Sequence, residues 1–260
     1  MHRAIIAAIV RGTVNEITQP VVRDPTQIAR QRISARTRDA TITRDSDMPA
    51  GKAGSIIVEL EWRLISGRYS FGEALSINSL AEEFDASRQP VSTAINHLRS
   101  LGYVAVMPQV GCRVVSPTPA EIEDFFFMLA KIESAIVGLA TPRHGTDEID
   151  VLAAITAQIA TTPFDNPSHR GVYAAAVDAY HEHIRSMARS PTLIPRVAHL
   201  WRLSNFYLWQ GASNFAPPKV NVANEQRHAI VHAIRQRDTG SAERLMEDHV
   251  RGKPRRVGIV

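Results

Sequence analysis

The sequence predicts a mostly α protein, an N-terminal winged helix-turn-helix followed by an all-α helical bundle. Three observations point there. Ser87–Gly102 reads SRQPVSTAINHLRSLG, an amphipathic helix with a polar outer face. Two helical stretches precede it and a β-prone hairpin follows. Beyond Pro119 every patterned stretch has the helical period, with no period-two strand and no Gly-rich phosphate loop.

In order along the chain, residues 1–50 mix Arg, Thr, Asp and Pro without a sustained period, so a disordered extension is expected. They carry eight Arg against five acids, an excess of +3 within a total of +4. Residues 51–116 balance at six against six. A basic total leans towards an anionic partner, but here the placement of side chains has to carry that reading. One cysteine, Cys112, excludes a disulfide framework and suits a reducing cytoplasm. No apolar run approaches the roughly 18 residues of a membrane span, so no membrane partner is expected.

Ser55–Ser66 is a helix by its Ile56, Leu60 and Leu64 stripe, and Gly67 ends it. Ser70–Ser76 is a turn holding Gly72. Ser76 caps a short helix, Ile77–Phe84, with Leu80 and Ala81 inward. Asp85 and Ala86 then lead into the helix at Ser87. That layout is a helix-turn-helix. Ser87 stands at the N-cap and Pro90 in the first turn, where its missing N–H costs little. Val91, Ala94, Ile95 and Leu98 share the buried face. Arg88, Gln89, Ser92, Thr93 and Asn96 point outward, donors and acceptors suited to phosphates and base edges. The bland alternative is an ordinary surface helix. Tyr103–Met107 and Cys112–Val115 flank a Pro/Gly turn and form the wing, its tip at Gln109–Gly111.

Ser116–Pro119 is a linker. Residues 117–252 form the helical unit, with helices near 120–140, 147–161, 172–189, 193–209, 222–237 and 241–251. The tail, 253–260, is basic and expected to fray.

Ile65–Val115 resembles the winged helix of GntR-type bacterial transcription regulators. Gly67, Leu75, Leu80, Ala81, Ser87, Arg88, Pro90, Val91, Ala94, Ile95, Leu98, Gly102 and Gly111 carry the resemblance. It implies a DNA-contacting set of Ser87, Arg88, Gln89, Pro90, Ser92, Thr93 and Asn96, with Asn78 from the preceding helix and Gly111 in the wing. Ser92 and Asn78 stand where the family often has Arg. The helical half is similar to the effector-binding (FCD-type) domain of the FadR branch, through Tyr180-His181-x-x-Ile184, Ser190-Pro191-x-Leu193 and Ile230 to His249. The resemblance implies a cytoplasmic, non-enzymatic regulator that binds a double-stranded DNA operator as a homodimer and responds to a small carboxylate effector.

Many such domains hold a divalent metal, zinc or similar, with one Asp and three His. The aligned positions here are Val177, His181, Arg227 and His249, so two of the four ligands are missing. Asp178 and His228 lie one residue away from the missing two, about 100° around their helices. A metal held by His181 and His249 with those displaced residues is one expectation. The other is a carboxylate held by Arg227 directly, as a guanidinium matches it bidentately, with His181 and His249 as hydrogen-bond donors. Arg202 is a further candidate to line that cavity. The bland readings are an Arg227 that snorkels to the surface and a His181 satisfied in the core. His228 and His232, at i and i+4, are expected to be solvated. An ion pair at Glu133 is in doubt, because the preceding turn carries Leu129 instead of Arg. Two other readings stay open: a helical enzyme that processes a small molecule, and an interaction module whose winged half docks protein.

Overall fold

The first helix, α1 (Pro25–Arg38), lies where a disordered extension was expected. The computed structural model describes residues 24–38, 48–107, 111–163, 167–210 and 217–259. The rest of the expected extension, apart from residues 48–50, lies outside these. Asp24 accepts from the Thr26 amide at 2.9 Å, and Pro25 opens the helix, a start signal of ordinary kind. Ala29 and Ile33 are buried in the core of the helical half, against α6 (Thr146–Thr161) and α7 (Pro167–Met187).

The winged half follows the expected order, with α2 (Gly51–Ile65), β1 (Ala74–Leu75), α3 (Ile77–Glu83), α4 (Arg88–Ser100), β2 (Val104–Met107) and β3 (Gly111–Val114). Residues 74–75, expected in a turn, form a third strand. The antiparallel sheet runs β1-β3-β2, pairing Leu75 with Cys112 and Val106 with Cys112 across its faces. Ser76 caps α3, its hydroxyl accepting from the Ser79 amide. Ser87 occupies the N-cap of α4 but its side chain makes no cap bond. Gly102 has φ +83°, the left-handed stop that ends α4.

The helical half contains α5 (Pro119–Arg143), α6, α7, α8 (Ile194–Gln210), α9 (Pro217–Arg235), α10 (Thr239–Arg251) and α11 (Lys253–Val257). A Thr118–Glu121 capping box starts α5. By length and composition α5 is apolar enough to cross a bilayer. It serves instead as a core helix, packed along α10 and α7 with Ile122, Phe126, Leu129 and Ile136 buried. The tail expected to fray is α11, and Lys253 within it is buried.

Two apolar cores result, and α8 belongs to both. Val197 and Trp201 pack into the helical core. Leu203 and Phe206 pack into the winged core, where Phe206 meets Tyr103 and Phe71 edge-on at 5.3 and 5.4 Å. Beside them Glu61 of α2, fully buried, accepts from Tyr103 Oη at 2.9 Å and from Arg202 Nε at 3.0 Å. Arg202 therefore does not line the cavity. It reaches the other way, because one residue past Trp201 is a turn of about 100° on the helix.

Candidate functional site

The surface presented by α3 and α4 is polar. Arg88, Gln89, Asn96, Ser87 and Asn78 are exposed, while Pro90, Ser92 and Thr93 are half-buried at the helix flank. Thr93 Oγ1 donates back to the Gln89 carbonyl at 3.1 Å, leaving its neighbours as the outward donors. The opposite face, Val91, Ala94, Ile95 and Leu98, is buried. Asn78, Ser87 and Arg88 line one open groove between α3 and α4. Gly111, exposed at φ +113°, starts β3; residues 108–110 of the wing tip lie outside the described residues.

The second site is a small pocket among α7, α8, α9, α10 and α11, with a cavity volume of about 60 Å³. Its apolar wall includes Val177, Leu208 and Ala223, and its polar groups include Asp178, Arg227, His249, Lys253 and Arg256. Asp178 Oδ1 accepts from Trp201 Nε1 at 2.8 Å and from Asn205 Nδ2 at 2.9 Å. Arg227 does not snorkel; it is 3% exposed. Its guanidinium donates to Asn224 Oδ1 at 2.6 Å and to Tyr173 Oη at 3.3 Å, while Nε has no partner.

His249 Nδ1 lies 3.0 Å from Gln226 Oε1. That acceptor fixes the proton on Nδ1 and leaves Nε2, which has no partner, as a lone pair. His181 Nε2 lies 3.5 Å from Lys253 Nζ, and its Nδ1 is 3.7 Å from Glu133 Oε2. Burial, reinforced by the nearby cations, holds both rings well below the usual histidine range, so both are neutral. The rings are thus acceptors through Nε2 rather than the donors expected. Lys253 lies 3.6 Å over the Trp201 ring. Burial and the Arg227 charge push its amine well below the ordinary lysine range. The same two causes bring Arg256 down to about 10. Behind the pocket Arg185 donates to Glu133 Oε1 through Nε and Nη2, at 3.0 and 2.7 Å. The doubted ion pair at Glu133 therefore exists, with α7 supplying the arginine.

A divalent metal does not fit these residues. Asp178, expected to point beside the cavity, lines it, but Trp201 and Asn205 already hold its Oδ1. His228 is exposed on the far side of α9, as is His232. Among the described residues no three His, Cys, Asp or Glu side chains group as metal ligands, and the cation beside His181 is Lys253. Structural sites need four ligands and catalytic ones three protein ligands.

Residues 52–114 match the model of bacterial regulatory proteins of the gntR family, and residues 124–252 match the FCD domain. The chain belongs to the GntR family. It is 26% identical over 191 residues to the HTH-type transcriptional repressor GlaR of Escherichia coli (strain K12), covering 72% of this chain and 87% of that one. Among solved structures it shares its fold with E. coli McbR/YncC, at TM-score 0.66 and 16% identity over 81% of this chain and 99% of that one. A GntR transcriptional regulator from Rhodococcus sp. RHA1 gives TM-score 0.62 and 16% identity over 81% and 100%. This GntR-family protein is accordingly a DNA-binding transcription regulator with an FCD effector-binding domain, not an enzyme.

Sequence reasoning expected His181, Arg227, His249 and Arg202 around one cavity, of which Arg227 and His249 line the pocket, His181 lies against His249 off that lining at 5.8 Å between rings, and Arg202 faces Glu61. It missed Lys253, Arg256 and Tyr173. The signal for the first two was present in Gly252-Lys253-Pro254: a Pro in the first turn marks a helix start.

Proposed function

We propose that this regulator binds its operator as a homodimer in the cytoplasm and that a small carboxylate, bound without metal, changes its affinity for DNA. The observation that carries the reading is the double attachment of α8. Trp201 and Asn205 hold Asp178 at the pocket, while Arg202 and Phe206 hold Glu61, Tyr103 and Phe71 of the winged half. A ligand that draws on Asp178 or its neighbours would rotate or shift the helix on which the winged half sits.

In this reading Arg227 receives the carboxylate, its unpartnered Nε and fixed fork suiting a bidentate contact. His249 Nε2 accepts from a hydroxyl or ammonium group of the ligand. Ser87, Arg88, Gln89, Pro90, Ser92, Thr93, Asn96, Asn78 and Gly111 form the operator face, with Arg88 the one full positive charge among them. Phe127 and Met128, exposed on α5 and flanked by the Lys131 and Arg251 cations, supply an apolar face for the second protomer.

The test is anisotropy of labelled DNA from the region upstream of the protein's own gene, across a salt series and with C3–C6 carboxylic acids added. Binding that falls steeply with salt and changes on adding an acid supports the reading. Indifference to DNA at low ionic strength overturns it.

A further inference from the structure

The pocket holds more positive charge than one carboxylate can match. Arg227, Lys253 and Arg256 line it together with one acid, Asp178; with Lys253 protonated the three cations exceed that anion by two. Arg227 donates to the neutral Tyr173 and Asn224, and Arg256 Nη2 donates to the His249 main-chain carbonyl. Lys253 sits between a neutral imidazole and an indole face. Uncompensated buried charge is costly, and a ligand that brings two negative charges relieves it.

Two of the three cations, Lys253 and Arg256, stand on α11, after residue 252, where the matched FCD segment ends. The site is therefore completed by an element beyond the domain that the family model covers. Between the charged groups the wall is apolar, with Ala174, Val177, Leu208 and Ala223. Such a wall suits methylene groups between two acidic ends better than a single compact dianion.

Resting on the carboxylate reading of the pocket, we infer that the effector is a short aliphatic dicarboxylate, and that Lys253 and Arg256 of α11 select it over monocarboxylates. Arg227 takes one end and the α11 cations take the other.

The test is calorimetry on the full-length protein with butyrate, succinate, glutarate, adipate and inorganic phosphate. At least one of the three dicarboxylates should bind about 10-fold or more tightly than butyrate, the size of one charge-assisted contact. In Lys253→Met and in Arg256→Met that ratio should fall towards one. The ratio is internal to each variant, so a modest loss of folded protein does not mimic the effect. Should one variant fail to fold, the other still decides. Equal binding of butyrate and the dicarboxylates, or an unchanged ratio in both variants, overturns the two-charge inference and leaves the carboxylate reading standing. Phosphate binding more tightly than every dicarboxylate overturns the assigned class. Failure of all five to bind overturns the carboxylate reading and this inference with it.

Discussion

The two functional regions of this regulator are built on opposite physical plans. The operator face is exposed, carries one formal charge at Arg88, and rests on a helix whose other side is fully packed. The pocket buries its polar groups, with Arg227, His249 and Lys253 at 3%, 0% and 7% exposure. In the first region a side chain can change without disturbing the fold. In the second, nearly every polar group that lines the pocket is also held in the packed structure. The lesson is that mutational effects should separate cleanly between them, with stability responding in one and DNA affinity in the other.

The largest expected effect lies behind the pocket. Arg185→Met leaves Glu133 buried without its ion pair and should cost about 3–5 kcal/mol in urea denaturation. Next comes Arg88→Ala, which should remove about 1–3 kcal/mol of operator affinity for each recognition helix while the melting temperature stays put. An equal loss of stability there would break the comparison. Arg202→Met sharpens it from the middle. It removes the cation from fully buried Glu61 and leaves the Tyr103 hydroxyl as its partner, so stability should fall too, by less than in Arg185→Met, and the effector-induced change in DNA affinity, about 5–150-fold in typical allosteric couplings, should shrink towards none in the folded fraction.

A smaller contrast separates two serines at helix starts. Ser76→Ala should lose about 1 kcal/mol, because its hydroxyl caps α3. Ser87→Ala should lose much less stability, since its side chain makes no cap bond.

Mild acid should act through the buried histidines, those at the pocket and His183 behind α6. In the unfolded chain His181 and His249 take up protons as pH falls through 6.5, whereas burial keeps them neutral in the fold. The unfolded state then binds more protons, so stability should fall as pH drops below about 6.5. Replacing His249 with Gln should flatten that slope in thermal melts.

The same contrast explains what was legible in the sequence. The winged half could be read because its features are local: caps, glycines and an apolar stripe recur at fixed spacings within α3 and α4. The third strand escaped because two residues, Ala74 and Leu75, carry no period. In the helical half the helices could be read but their facing could not. The α8 sequence, IPRVAHLWRLSNFYLWQ, is apolar or aromatic on several sides and is buried against both cores. Nothing in it tells Trp201 from Arg202 as the residue facing the pocket. Lys253 and Arg256 were hidden by a different cause. A run of basic residues reads as solvated, and only long-range packing against Trp201 and His249 buries it. α1 was hidden in the same way, its two anchors, Ala29 and Ile33, being sparse among polar neighbours.

That first helix has a mechanical consequence. Because α1 packs on α6 and α7, the elements on either side of the winged half in the chain, α1 before it and α5 after it, both belong to the bundle. A reading head held by one strap can swing through a wide cone. With the chain leaving the bundle to enter it and returning to the bundle after it, and with α8 packed into its core, the winged half has less freedom than a domain on a single tether.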